Sequence, residues 1–153
     1  MIPRDKGEQG LLISNPWLLA GGTLSAAASL THLAIIIGGP RWYAFFGAGK
    51  RMVRLAEQGA ASATLITLGI AAVLAVWSAY ALSGAGRLPP LPLLRPALVA
   101  ISVVYLIRAV VFVPVVMIRT GRAYAFAWIS SAFVLVFGLT YAIGTLTAWR
   151  TLP

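Results

Sequence analysis

Residues 94–118 read LRPALVAISVVYLIRAVVFVPVVMI, and this stretch decides the fold class. It is long enough to cross a bilayer core, which takes about 20 apolar residues in a helix. Arg108 lies near its middle, about 15 Å from the end at Ile118. An arginine side chain cannot reach the membrane surface from that depth. Because a central arginine costs from about 2.5 to more than 10 kcal/mol, other groups within the membrane must receive this charge.

The composition of the whole chain indicates a membrane protein. The 153 residues are 60% hydrophobic and only 10% charged, with a mean hydropathy of +0.91, whereas soluble domains carry about 25% charged residues. The net charge is +9, but the basic residues lie in short segments between apolar runs, as membrane-flanking charges do. We therefore expect no nucleic-acid partner. The absence of cysteine excludes disulfides and thiolate metal sites.

Three further segments have the length and composition of membrane spans. The first is opened by Asn15 and Pro16, a capping residue followed by a proline suited to a first helical turn. We predict an all-α polytopic membrane protein, a four-transmembrane-helix bundle that forms a single domain over residues 1–153. The predicted spans are 17–38, 60–82, 94–118 and 124–148.

The first loop, residues 41–58 (RWYAFFGAGKRMVRLAEQ), separates polar from apolar side chains at helical spacing. This pattern predicts an interfacial amphipathic helix in the headgroup plane, bent at Gly47 and Gly49, with the lipid bilayer and its anionic headgroups as partners. The alternative is a folded loop that caps the helix ends with the same aromatic residues. The predicted membrane-interface residues are Trp42, Phe45, Phe46, Lys50, Arg51 and Arg54.

The orientation in the membrane follows from the basic residues near the spans, which are almost evenly divided between the two sides. The high density of basic residues in the first loop favours the cytoplasm for that loop, with both termini outside. One side carries Arg4, Lys6, Arg87, Arg95 and Arg150, and the other carries Arg41, Lys50, Arg51, Arg54, Arg119 and Arg122.

Polar residues at a depth similar to that of Arg108 form a candidate ligand site. Straight-helix geometry places His32 within about 4 Å of the depth of Arg108. One interpretation is structural: Arg108 donates to carbonyls, hydroxyls and buried water and fixes helix register. The other is a site for an anionic or carbonyl-bearing ligand, such as a lipid headgroup, a quinone or a small anion. The candidate residues are Arg108, His32, Tyr105, Ser29, Thr64, Thr67, Ser130 and Ser131.

The chain lacks the motifs of an enzyme. It contains no HExxH motif, no carboxylate pair and no phosphate-binding loop, so we expect no catalysis and no catalytic residue. No metal site is indicated, and the sequence does not identify a cofactor. We expect an accessory protein that binds lipid or a membrane partner. The alternative is an oligomeric anion channel or transporter subunit lined by Arg108. Gly21, Ser25 and Ser29 recur at every fourth position, which favours close helix packing within the bundle over a homo-oligomer.

Three segments carry a resemblance to a group of known proteins. HLAIIIGGPRWYAFFGAGKRMVRLAEQG (32–59), YALSGAG (80–86) and LPLLRPAL (91–98) resemble small uncharacterised four-helix inner-membrane proteins of bacteria. The architecture is also similar to that of DoxX-type membrane proteins. The resemblance implies a multi-pass protein of the bacterial inner membrane and implies no activity. The composition rich in arginine, alanine and glycine is typical of a GC-rich bacterial genome.

Overall fold

The computed structural model describes residues 14–121 and 125–152, and every regular element within them is a helix. Four of these helices are long and apolar enough to cross a membrane, which confirms the predicted all-α, four-span fold class. The observed bounds agree with the predicted spans to within two residues. Tyr124, the predicted start of the fourth span, lies outside the described residues, as do Arg4, Lys6 and Arg122. The helices are α1 (Pro16–Gly38), α2 (Pro40–Phe45), α3 (Lys50–Glu57), α4 (Ala61–Gly84), α5 (Leu94–Thr120) and α6 (Ala125–Ala148).

Two helix ends are stabilised by capping residues, and the first of them is the cap that the sequence predicts. At the start of α1, Asn15 Oδ1 accepts hydrogen bonds from the backbone N–H groups of Trp17 at 3.0 Å and Leu18 at 3.1 Å. These bonds satisfy two donors that have no partner within the helix. At the end of α5, Gly121 adopts a left-handed conformation with φ of 75°, a conformation that glycine accepts without strain. Pro114 is accommodated inside α5, which continues through it.

The chain divides into two compact units, the first formed by residues 14–24 and 78–152. Small residues allow close helix contacts in this unit. A side chain at Gly21 would meet the ring of Tyr141 at 2.9 Å, and one at Gly144 would meet Leu18 at 2.7 Å. Ser78 Oγ donates to the Gly22 carbonyl at 2.8 Å. The small-residue face of α1 therefore packs within the chain, as predicted.

Arg95 joins the start of α5 to the end of the chain in the same unit. Its Nε donates to the Leu152 carbonyl at 2.9 Å, and its Nη2 donates to the same oxygen. The guanidinium also lies over the ring of Trp149, 5.7 Å from the centroid. Leu152 itself is buried. Arg95 therefore has partners within the protein, besides its place among the basic residues that flank the spans.

The second unit covers residues Ser25–Trp77 and contains the first loop. The loop forms two short helices, α2 and α3, separated by Gly47 and Gly49, whose φ angles are 66° and 88°. The predicted bend at these two glycines is thus confirmed. A buried cluster of Ile35, Tyr43 and Ala63 lies beneath the loop. Half-buried side chains that pack against this cluster are Phe46, Met52, Val53, Leu55 and Ala56.

Candidate functional site

Arg108 is half-buried near the middle of α5. Its guanidinium carbon lies 3.6 Å from the ring centroid of Phe112, one turn further along α5. Its Nη2 lies 3.5 Å from Ser130 Oγ on α6, a separation at the long limit of hydrogen bonding. The ring face attracts the cation, while the hydroxyl contact is weak.

One nitrogen of this guanidinium has no hydrogen-bond partner among the described residues. Arg108 Nη1 is buried, and none of the residues that the structure describes accepts a bond from it. The four spanning helices contain no aspartate or glutamate, so no carboxylate within them neutralises the charge. A buried donor without an acceptor costs about 1–3 kcal/mol, and more when it is charged. The site therefore holds a cation with one buried, unsatisfied donor.

Tyr105 of α5 and Ser131 of α6 have surroundings that differ from those of Arg108. Tyr105 is buried in the first unit, with ring centroids at 5.5 Å from Phe137 and 5.4 Å from Tyr141. Ser131 follows Ser130 in α6 and is therefore turned by about 100°. Of the four residues predicted on α5 and α6, the structure places Arg108 and Ser130 in contact.

Ser131 lines a separate groove between α5 and α6. The groove has a volume of about 450 Å³. Val110, Pro114 and Met117 line it from α5, and Trp128 and Ser131 line it from α6. Ser131 is 8% exposed, and its Oγ has no hydrogen-bond partner among the described residues. A polar atom is thus buried without a partner at the wall of an otherwise apolar groove.

The other predicted site residues belong to the second unit, where two hydroxyls are used in packing. Ser29 Oγ donates to the Ala71 carbonyl at 2.8 Å, joining α1 to α4. Thr67 Oγ1 donates to the Ala63 carbonyl at 2.9 Å. The side chain of Thr64 is exposed on α4. These contacts give Ser29 and Thr67 structural partners within the chain.

His32 is half-buried on α1 and bonds to its own helix. Its Nδ1 lies 2.8 Å from the Ala28 carbonyl. Because a carbonyl oxygen can only accept, this contact requires the proton on Nδ1 and leaves Nε2 as an acceptor in the neutral ring. A neutral His32 in this arrangement presents an acceptor from Nε2, the opposite of the donor that an anion would need.

Tyr43 is a polar residue of the second unit that the sequence does not single out. Its ring is buried, and its hydroxyl donates to Thr67 Oγ1 at 3.0 Å and lies 3.3 Å from the Ala63 carbonyl. The hydroxyl therefore joins α2 to α4. In the sequence, Tyr43 lies between Trp42 and Phe45, as an aromatic residue at the membrane interface would. Composition alone therefore does not distinguish a buried tyrosine from an interfacial one.

The predicted interface residues of the first loop fall into an exposed and a packed set. Trp42 is 45% exposed and Phe45 is 80% exposed, whereas Phe46 packs against the buried cluster. The amphipathic helix α3 turns its apolar side to that cluster, so the loop covers the protein and also presents aromatic residues outward. The exposed basic residues are Lys50, Arg51 and Arg54.

Arg41 joins three aromatic residues of α2 and the following turn around an open groove. This groove has a volume of about 410 Å³. Trp42, Phe45 and Phe46 form its apolar walls, and Gly38 is required beneath it because a Cβ there would overlap the Trp42 ring. The arrangement combines an exposed cation with aromatic rings, as membrane-interface segments do.

No protein family, curated protein or solved structure shows a significant similarity to this chain. The chemistry of Arg108, of the groove at Ser131 and of the first loop therefore carries the functional conclusions.

Proposed function

We propose that this protein is a small accessory protein of the bacterial inner membrane that binds an anionic or carbonyl-bearing ligand at Arg108. The ligand is either a free molecule or a group presented by a membrane partner. The observation that supports this proposal is the guanidinium itself. It lies near mid-span, its Nη1 is buried without an acceptor among the described residues, and its hydroxyl contact to Ser130 is 3.5 Å long.

The surroundings of Arg108 favour an external partner over an internal one. Phe112 offers a ring face but no hydrogen-bond acceptor. Neighbouring residues on the same helix are apolar and outward-facing, with Ile107 56% exposed and Val111 46% exposed. A cation that borders a lipid-facing surface gains most from an acceptor that approaches through that surface, because the low dielectric strengthens the interaction. Carboxylate, phosphate and carbonyl oxygens all have this chemistry.

Arg108→Leu tests the proposal, since it removes the charge while keeping an apolar side chain. Native mass spectrometry of the wild type should detect a bound species that the variant lacks. Arg119→Leu is the matched control, because Arg119 is an exposed arginine in the last turn of the same helix. The control should retain the species.

The same pair of proteins distinguishes binding from conduction. An oligomeric anion channel would show a conductance in reconstituted bilayers that disappears in Arg108→Leu. If the wild type shows neither a bound species nor a conductance, and the variant is at least as stable, Arg108 serves only helix packing. That result would contradict the proposal.

The first loop extends the proposal to the membrane surface. The exposed Trp42 and Phe45 and the basic side of α3 have the chemistry that attracts anionic lipid headgroups, at about 1 kcal/mol for each basic residue near the surface. This charge density also supports a cytoplasmic first loop with both termini outside.

A further inference from the structure

We propose that the groove between α5 and α6 is a second binding site, specific for an uncharged lipid that carries a hydroxyl group. This site is distinct from the one at Arg108. Val110, which lines the groove, is turned from Arg108 by about 200° around α5. The two sites therefore lie on opposite flanks of the helix.

The first polar feature of the groove is the hydroxyl of Ser131. The residue is 8% exposed and lines the groove, and its Oγ has no partner in the part of the chain that the structure describes. Serine hydroxyls inside helices commonly bond to the carbonyl one turn earlier, as Ser102 does with the Leu98 carbonyl at 2.7 Å. Ser131 does not, so its donor remains available to a molecule in the groove.

The second polar feature is created by Pro114. Proline has no backbone N–H, so the Val110 carbonyl cannot receive the helical hydrogen bond that residue 114 would normally donate. Val110 and Pro114 both line the groove. The same apolar surface thus carries a hydroxyl donor from α6 and a backbone acceptor from α5.

A ligand hydroxyl is the simplest group that matches both features. It can accept the proton of Ser131 and donate its own proton to the Val110 carbonyl. A ketone or an ester would satisfy Ser131 and leave the carbonyl without a donor. A hydroxyl therefore explains the pair of unsatisfied groups more completely than a carbonyl does.

The depth of the groove, together with a lining that contains no charged residue, excludes a charged headgroup as its occupant. Ser131 lies about 9 Å from the start of α6 at Ala125, and Val110 lies about 15 Å from the end of α5 at Thr120. A phosphate or an ammonium at this depth would pay a large desolvation penalty. The apolar walls suit a hydrocarbon chain, and the volume of about 450 Å³ is that of a lipid segment.

Trp128 provides a direct readout, because it lines the groove and is 60% exposed. The probe is a dibrominated long-chain fatty alcohol, since bromine quenches tryptophan fluorescence at short range. The matched probe is the methyl ether of the same alcohol, which accepts a hydrogen bond but cannot donate one. The full-length protein is reconstituted in phosphatidylcholine vesicles, and the difference between wild type and Trp128→Phe isolates the Trp128 signal.

The alcohol should quench Trp128 at a membrane mole fraction about three- to tenfold lower than the ether, as one net hydrogen bond predicts. Pro114→Ala should remove this difference, because its N–H occupies the Val110 carbonyl. Ser131→Ala should instead weaken quenching by both probes, because both accept a hydrogen bond from Ser131. Ser102→Ala, the control, should keep the full difference, because Ser102 bonds within its own helix. Both test variants introduce alanine, a strong helix former, so folding is preserved.

Equal quenching by the two probes would overturn the proposal. So would a preference for the alcohol that persists unchanged in Pro114→Ala, or quenching by both probes that is unchanged in Ser131→Ala. Neither result bears on Arg108, so failure here is distinguishable from failure of the proposed function.

Discussion

Gly144 of α6 lies against Leu18 of α1 in the first unit, and replacing it with alanine tests that packing. A Cβ at this position would lie 2.7 Å from Leu18 Cγ and 2.9 Å from the Leu18 backbone nitrogen. Leu18 is fully buried, and the backbone nitrogen cannot move aside without displacing α1. Such overpacking typically costs about 1–3 kcal/mol.

The size of this effect is best measured against a glycine that has free space. Gly69 lies within α4, and a Cβ there would meet nothing within 4 Å. Both alanine substitutions gain about 0.5–1 kcal/mol of helix propensity, and this gain cancels in the comparison. We therefore expect Gly144→Ala to be less stable than Gly69→Ala by about 1–3 kcal/mol.

The stability of both variants can be measured by reversible unfolding in mixed micelles. Far-ultraviolet circular dichroism follows the loss of helix as the mole fraction of sodium dodecyl sulfate rises. Gly69→Ala should unfold at the same mole fraction as the wild type or a higher one, and Gly144→Ala at a lower one. Coincident transitions for the two variants would refute the contact between Gly144 and Leu18.

Two further predictions concern the membrane. Single cysteines at Ser14, Gly86 and Thr151 should label from one side of the membrane, and single cysteines at Ala48 and Gly121 should label from the other. Mixed accessibility within either set would contradict the four-span topology. A peptide of residues 41–58 should become helical on phosphatidylglycerol vesicles and detach as salt rises, because attraction to anionic lipid is screened. Equal helicity on phosphatidylcholine vesicles would show that the loop serves only to cover the protein.

The four spans could be predicted from the sequence because long apolar runs leave few alternatives in a lipid solvent. Residue Leu94 begins α5 and Gly38 ends α1, as the prolines and glycines nearby indicate. The two glycines of the first loop were also informative, since a positive φ at Gly47 and Gly49 divides the amphipathic segment into two helices.

The polar site was harder to predict because depth along a helix does not fix direction around it. Ser130 and Ser131 have nearly the same depth, yet the first contacts Arg108 and the second lines the groove. Ser29 was assigned by depth as well, whereas its hydroxyl bonds to the Ala71 carbonyl. Near-uniform hydropathy in the spans leaves little amphipathic pattern from which to infer the facing side.

Tyr43 shows a second limit of sequence reasoning. Aromatic residues beside a membrane span occur both at the headgroup level and in packed loops. Tyr43 is buried and bonds to Thr67, while its neighbour Trp42 is 45% exposed. The two side chains differ because successive residues of α2 are turned by about 100° around the helix. Which of them faces the protein depends on where α4 lies, and the sequence does not give that position.

The role of Arg108 is tested most directly by the melting temperature of the purified protein before and after delipidation. The measurement is made on the wild type and on Arg108→Leu. A ligand that binds the folded state alone stabilises it in proportion to its occupancy. We predict that delipidation lowers the melting temperature of the wild type, and that re-addition of the extracted lipid restores it, while Arg108→Leu shows a smaller change at each step. An equal response of the two proteins would contradict a ligand held by Arg108.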